Sequence, residues 1–294
     1  MTTVLHGEPP AGLPPVTELP AARALRRTPW LGPALALAFF LAVCLLAAFP
    51  DAFAGDPAAI DPVNAFRDPA PGHLLGTDQL GRDTWARVVH GARASLALGF
   101  GATALAALVG IAWGLAAGLG GRLVDEATMR VADIFMAVPT TLMALLVVAV
   151  LGAGGPSVAV AIAVSLAPGF ARVVRVQTQV VKHAGYVQAA TALGVRRRGV
   201  VGRHIVPNVL PPMLVLATMN VGQSIIAGAS LSFLGLGPQA SSSEWGSLLS
   251  DARDHLQDAW APAVFPGLAI ALTVISISVL GRELRLRFEG RTER

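Results

Sequence analysis

Charge is scarce in this chain, lysine is nearly absent, and cysteine occurs once. Only 14% of its 294 residues are charged, against about a quarter in soluble domains, which excludes an ordinary water-exposed surface. Cys44 alone rules out a disulfide framework. The six histidines, His6, His73, His90, His183, His204 and His255, include no pair at metal-ligand spacing, so no metal site is expected. No Gly-x-Ser-x-Gly elbow and no acidic pair within an apolar run occurs. No catalytic residues are therefore proposed. Mid-run Asp, Glu and Lys are missing too, which argues against a proton-coupled carrier.

What the chain has is oil. Hydrophobic residues make up 54% of it, mean hydropathy is +0.62, and apolar runs of about 20 residues recur. These features predict an all-α polytopic membrane protein. Twenty-one of the 22 basic residues are Arg and the pI is about 10.4, which invites a nucleic-acid reading. The arginines sit instead in short segments between apolar blocks, where membrane topology places them. The expected partner is a lipid bilayer, and no nucleic acid is expected.

Six spans are predicted, at about Leu31–Phe49, Ala94–Leu119, Ile134–Leu151, Val158–Val174, Pro211–Leu234 and Ala261–Leu280. Residues 1–28 read as a proline-containing disordered tail ahead of them, and Ala52-Phe53-Ala54 only superficially resembles a signal cleavage site. With the N-terminus inside, inner segments hold 17 of the basic residues and outer segments hold five: Arg67, Arg82, Arg87, Arg93 and Arg253. The positive-inside rule then puts both termini in the cytoplasm.

Gly76-Thr77-Asp78-Gln79-Leu80-Gly81-Arg82-Asp83 has the glycine spacing of a phosphate loop. It lacks the Lys-Ser/Thr that would contact phosphate and magnesium, and no strand precedes it. A turn at Gly81 is expected instead, with Asp83 capping a short interfacial helix from Thr84 whose apolar side is Trp85, Val88 and Val89. Gly110, Gly114 and Gly118 recur every four residues, a spacing that lets two helix backbones approach closely. Late polarity falls at Asn220, Gln223 and Ser224 in the fifth span and at Thr273, Ser276 and Ser278 in the sixth. Such groups face protein or a water-filled cavity, so they mark either a polar passage or interhelical hydrogen bonds.

The longest polar passage is residues 186–208. Tyr186, Ala189, Ala190 and Leu193 follow a helical apolar period, and Gly194 can end that helix. A second short helix fits Arg196 to about His204, with Val200, Val201 and Ile205 on one side and Pro207 as its stop. Arg196, Arg197 and Arg198 suit lipid headgroups or salt bridges. Spacing alone leaves two readings, a membrane-surface loop or a knob that docks into a soluble partner.

A resemblance bears on that choice. Gln188-Ala189-Ala190, then Gly194, then Pro207 thirteen residues later is similar to the EAA loop of the membrane subunits of bacterial ABC importers. Gln188 stands where that family usually has Glu, and Val206 where it has Leu. Three further stretches resemble the peptide/nickel group, C-type subunit: His73–Asp83, Gly91–Leu96 and Leu231–Gly237. Tyr186-Val187, Arg203-His204-Ile205, Trp245-Gly246 and Phe265–Ala269 match as well. The likeness runs from about residue 30 to 281.

The resemblance implies a type I ABC importer permease. Residues 29–90 would hold the first helix, an extracytoplasmic loop and the interfacial helix; 91–281 the transporter core; and 282–294 a cytoplasmic tail. Residues 186–207 would couple to the ATPases through Tyr186, Gln188, Ala189, Ala190, Gly194, Arg196, Arg197, Arg198, His204 and Pro207. Asn220, Gln223, Ser224, Thr273 and Ser276 would line the path, and Gly76, Thr77, Asp78, Gly81, Arg82 and Asp83 form the extracytoplasmic family motif. Implied partners are a homologous second permease subunit, two ABC ATPases that bind the ATP and Mg, and an extracytoplasmic solute-binding protein. The permease itself would carry no cofactor. The implied location is the bacterial cytoplasmic membrane. Di- or oligopeptides are the expected cargo. Nickel chelates, glutathione or oligosaccharides are the alternatives on the same architecture, and a secondary transporter without ATPases is the remoter rival.

Overall fold

The computed structural model describes residues 30–238 and 242–292, with side chains to residue 287. The tail expected over residues 1–28, with Arg23, Arg26 and Arg27, lies outside the described residues, as does Arg294. Every regular element among the described residues is helical.

The helix α1 (Leu31–Ala48) is apolar all round and buries only Ala36, Val43 and Ala47, which suits a peripheral helix in lipid. A short turn, α2 (Pro50–Phe53), and a 3-10 turn (Pro62–Asn64) then start a loop that ends at the N-cap of α3 (Thr84–Leu119). The Asp83 carboxylate accepts from the Ala86 backbone N–H at 3.2 Å, as its expected capping role requires. The separate interfacial helix does not exist. Nothing between Thr84 and Ala94 breaks a helix, so the expected short helix and second span merge into 36 residues, about 54 Å long.

The third predicted span is also corrected. Two helices, α4 (Arg122–Ala137) and α5 (Thr140–Leu151), meet at a 95° bend inside it. Pro139 explains the bend: it pushes Val138 to an extended ψ of 131° and offers no N–H to continue α4. Next comes α6 (Gly155–Lys182), which extends the expected fourth span at both ends. It lies along α3, and the glycine stripe is the reason. A Cβ built on Gly114 would sit 2.5 Å from the Val174 Cβ, and one on Gly118 2.7 Å from the Thr178 Cβ. Such contacts demand glycine, so the stripe is a close-packing seam.

Beyond it come α7 (Gly185–Ala192), α8 (Arg197–Val200), a π-helical turn (Val201–Ile205) and α9 (Val206–Phe233). Pro207 does not stop a helix. The chain is helical without a break from Arg197 to Phe233, because the preceding π turn, with Val206 N–H bonded to the Val201 carbonyl, absorbs the hydrogen bond that Pro207 cannot make. Two helices complete the fold, α10 (Trp245–Arg253) and α11 (Ala261–Thr292). Among the described residues, five helices are long and apolar enough to cross a membrane, and the bent α4–α5 pair makes a sixth crossing if counted as one.

Candidate functional site

Three regions hold the residues singled out above. At one end of the bundle, α7, α8 and the π turn form a knob. Val187 is its buried anchor, packed with Val174, Val181, Val200 and Ile205. Tyr186, Ala189 and Leu193 therefore face outward, with Leu193 85% exposed, while Ala190 is half-buried. Gly194 turns the chain at a φ of +78°, where a side chain would be strained. His204 lies beside Tyr186, ring centroids 6.3 Å apart, and Pro207 is exposed at the start of α9.

The three arginines differ in what they do. Arg197 donates from Nη2 to the Leu119 carbonyl at 2.6 Å and so caps the C-terminus of α3. Arg196 and Arg198 are exposed and engage no described residue through their side chains. Gln188 donates from Nε2 to the His183 carbonyl at 3.1 Å, capping α6. A carboxylate at 188 has no proton for that carbonyl. Gln188→Glu is thus expected to free the side chain from α6, at a cost of about 1 kcal/mol, seen as faster amide exchange at His183–Gly185. A cavity of about 670 Å³ opens beneath α7, and its wall includes Gln188, Thr191, Arg197 and Leu119.

The second region is a cleft between α5, α6 and α9. Two cavities of about 430 and 300 Å³ adjoin there, sharing Thr140, Ser165 and Leu166. Their α9 wall runs from Leu216 to Leu234, about 27 Å at helical rise, close to the ~30 Å of a bilayer's hydrocarbon core. Asn220 and Gln223 line it. Asn220 donates from Nδ2 to the Leu216 carbonyl at 2.8 Å, and Gln223 is exposed. Ser224, Thr273 and Ser276 sit away from it, inside helix packing. The Ser224 and Thr103 hydroxyls are 2.8 Å apart, the Ser276 hydroxyl donates to the Leu272 carbonyl, and Thr273 is fully buried.

The third region is at the opposite end. Gly81 takes a φ of +73° and Gly76 one of +74°, folding the loop so that Thr77 and Asp78 are buried. The Thr77 N–H donates to the Arg67 carbonyl, and its hydroxyl accepts from the Arg67 N–H. The Asp78 carboxylate accepts from the backbone N–H groups of Leu80 and Arg82, from Arg82 Nε at 2.7 Å and from Arg87 Nη1 at 2.6 Å. Arg87 also donates from Nη2 to Asp251 of α10 at 3.0 Å. Beside this network, buried Glu244 caps α10 through Gly246 and Ser247 N–H and accepts from the Ser95 hydroxyl. By contrast Arg253 and Asp254 pair at the surface, where the hydrogen bond from Arg253 holds the Asp254 carboxyl below the usual carboxylate range.

Sequence reasoning missed Asp251 and Glu244, and it named Arg87 only as an outer charge and Ser95 only inside the Gly91–Leu96 stretch. Their pairing had no local signal, because the partners lie 164 and 149 residues apart. Asp133 was missed as well. It lies on α4, just before the bend that the sequence did not reveal, and accepts from Arg172 Nη2 of α6.

The model of the family described as binding-protein-dependent transport system inner membrane component matches residues 110–294. The chain belongs to that family. Among relatives of this permease, the dipeptide transport system permease protein DppC of Alkalihalophilus pseudofirmus is 40% identical over 228 residues, 78% of this chain and 75% of that one. The glutathione transport system permease protein GsiD of Pectobacterium atrosepticum is 42% identical over 217 residues, 74% of this chain and 72% of the relative. A putative peptide transport system permease protein of Brucella suis is 38% identical and covers 94% of this chain and 92% of its own. The permease also matches a chain of the inward-facing MetNI methionine ABC transporter. The TM-score is 0.56 at 18% identity, covering 68% of this chain and 95% of that one. An amino acid ABC transporter crystallised with histidines matches with a TM-score of 0.54 at 17% identity, covering 70% and 94%. These likenesses show the fold: a multi-pass, all-helical ABC importer permease of type I.

Proposed function

We propose that this permease forms half of the pathway of an ATP-driven importer for di- and oligopeptides, with glutathione, itself a tripeptide, in the same class. The dipeptide, peptide and glutathione permeases among its relatives support that cargo. The pathway is completed by a homologous second permease subunit, two ATPases dock on the knobs, and an extracytoplasmic binding protein delivers solute. ATP and Mg belong to the ATPases. The knob end faces the cytoplasm with both termini, as the arginine bias favours. Residues 91–281 act as the transporter core and 186–207 as its coupling segment.

One observation carries the mechanism. The helix that begins in the knob at Arg197 continues unbroken to Phe233 and forms a wall of the cleft with Asn220 and Gln223. Movement of the knob when the ATPases close is transmitted along α9 as a rigid body, which re-aims that wall and exposes the cleft to the opposite side. The exposed Tyr186–Ala189–Leu193 face supplies the apolar contact, and Arg196 and Arg198 supply free cationic groups for an acidic rim. Gly76, Thr77, Asp78, Gly81, Arg82 and Asp83 hold the extracytoplasmic loop against α3 and α10 as a firm outer frame.

Ala189→Trp places bulk on the outward face without touching the Val187 anchor. It is expected to reduce ATP-driven peptide uptake at least tenfold in proteoliposomes while the permease remains folded. Reversal of Arg196 and Arg198 to Glu is expected to act the same way. Unchanged assembly and uptake in Ala189→Trp would sink the docking reading.

A further inference from the structure

The cleft has a single charged lining residue among those described, Arg172 of α6. It lies ten residues before the end of α6 at Lys182, about 15 Å in from the knob end at helical rise. There Arg172 has both a cavity wall and an ion-pair partner. Its side chain is 49% exposed and borders the 430 Å³ cavity. Its described partner is Asp133 of α4, reached through Nη2 and itself 52% exposed. A guanidinium carries five N–H donors in a planar fork, so most of the fork has no described partner, at the edge of a space that Asn220, Ser165 and Thr140 also line.

We infer that Arg172 is a selectivity residue of the pathway that receives the free carboxylate of the passing solute, with Asp133 as the counter-ion it leaves. This rests on the peptide reading of the cargo. Four features support it. The fork matches a carboxylate bidentately. Asp133 holds Arg172 by one donor, so the other donors of the fork can take a solute carboxylate. The half-exposed pair is screened enough to exchange, unlike the buried Arg87–Asp78 pair at the opposite end. Asn220 and Ser165 offer hydrogen-bonding groups to the peptide unit next to that carboxylate.

The test uses the complete complex in proteoliposomes with its binding protein. It compares uptake of a short peptide with uptake of the same peptide amidated at its C-terminus, each relative to its own wild-type rate so that the binding protein's preference cancels. Arg172→Gln is expected to slow the free-acid peptide about tenfold or more, in line with loss of a charge-assisted bond, and to change the amide less than twofold. Asp133→Asn removes the competing carboxylate and is expected to raise free-acid uptake above the wild-type rate. A purely structural ion pair would instead make both substitutions slow both peptides alike, and that result, or no effect of either, overturns the inference. If the wild-type complex moved neither peptide, the cargo reading would fall and this one with it. If it moved both and Arg172→Gln slowed them equally, this one alone would fall.

Discussion

Replacing Asp78 by Ala is expected to destabilise the folded permease by about 3–5 kcal/mol, the range for breaking a buried ion pair on one side. The carboxylate is 2% exposed and accepts from two backbone N–H groups and two guanidinium groups at once. Its removal strands the Leu80 and Arg82 N–H groups and leaves Arg87, 4% exposed, with Asp251 as its remaining partner. An Asn at 78 keeps an oxygen for the backbone donors and loses the charge, so its cost is expected to be smaller. Thermal unfolding in detergent measures both. An Asp78→Ala protein that melted with the wild type would show that the loop does not brace α3 and α10. The effect should be structural at first hand: the network sits at the end of the bundle opposite the knob, so ATPase docking should survive in whatever fraction remains folded.

The second large effect is expected at Gly114. Leucine there must fit where even a Cβ would lie 2.5 Å from the Val174 Cβ. The α3–α6 pair is the most extensive helix contact among the described residues, and it cannot open locally because Gly110 and Gly118 are also tight: a Cβ on Gly110 would meet the Ala167 carbonyl oxygen at 2.8 Å. Overpacking costs about 1–3 kcal/mol where neighbours can shift. Here backbone must move, so Gly114→Leu is expected to remove most of the monodisperse protein recovered from membranes. Gly101 on the same helix has nothing within 4 Å of an added Cβ, and Gly101→Leu should be recovered normally. Equal yields for the two would mean that the seam is not what joins these helices.

Both substitutions test the frame; function depends on what the frame holds still. The seam fixes α6, which carries Arg172 on the cleft and Val174 and Val181 under the knob. The unbroken helix from Arg197 to Phe233 then has a stationary wall to move against.

Much of this was legible in the residues themselves. Apolar runs and scarce charge determined an all-helical membrane protein, because a bilayer leaves few other ways to satisfy a backbone. Asp83 announced a helix start, Gly194 a turn, and the four-residue glycine spacing a close contact, since each is a local steric or hydrogen-bonding rule that needs no knowledge of distant partners. The Gln188–Pro207 pattern carried the family. Helix continuity was not legible. Pro139 breaks its span while Pro207 is carried through, and the difference is a π turn, which no local preference announces. Nor was it visible that Asn220 and Gln223 would border a cleft while Ser224 turns to Thr103, or that Arg172 would meet Asp133. Adjacent positions on one helix look alike in sequence; which of them faces a cavity is decided by the neighbouring helices, and those contacts join residues 39 to 164 positions apart.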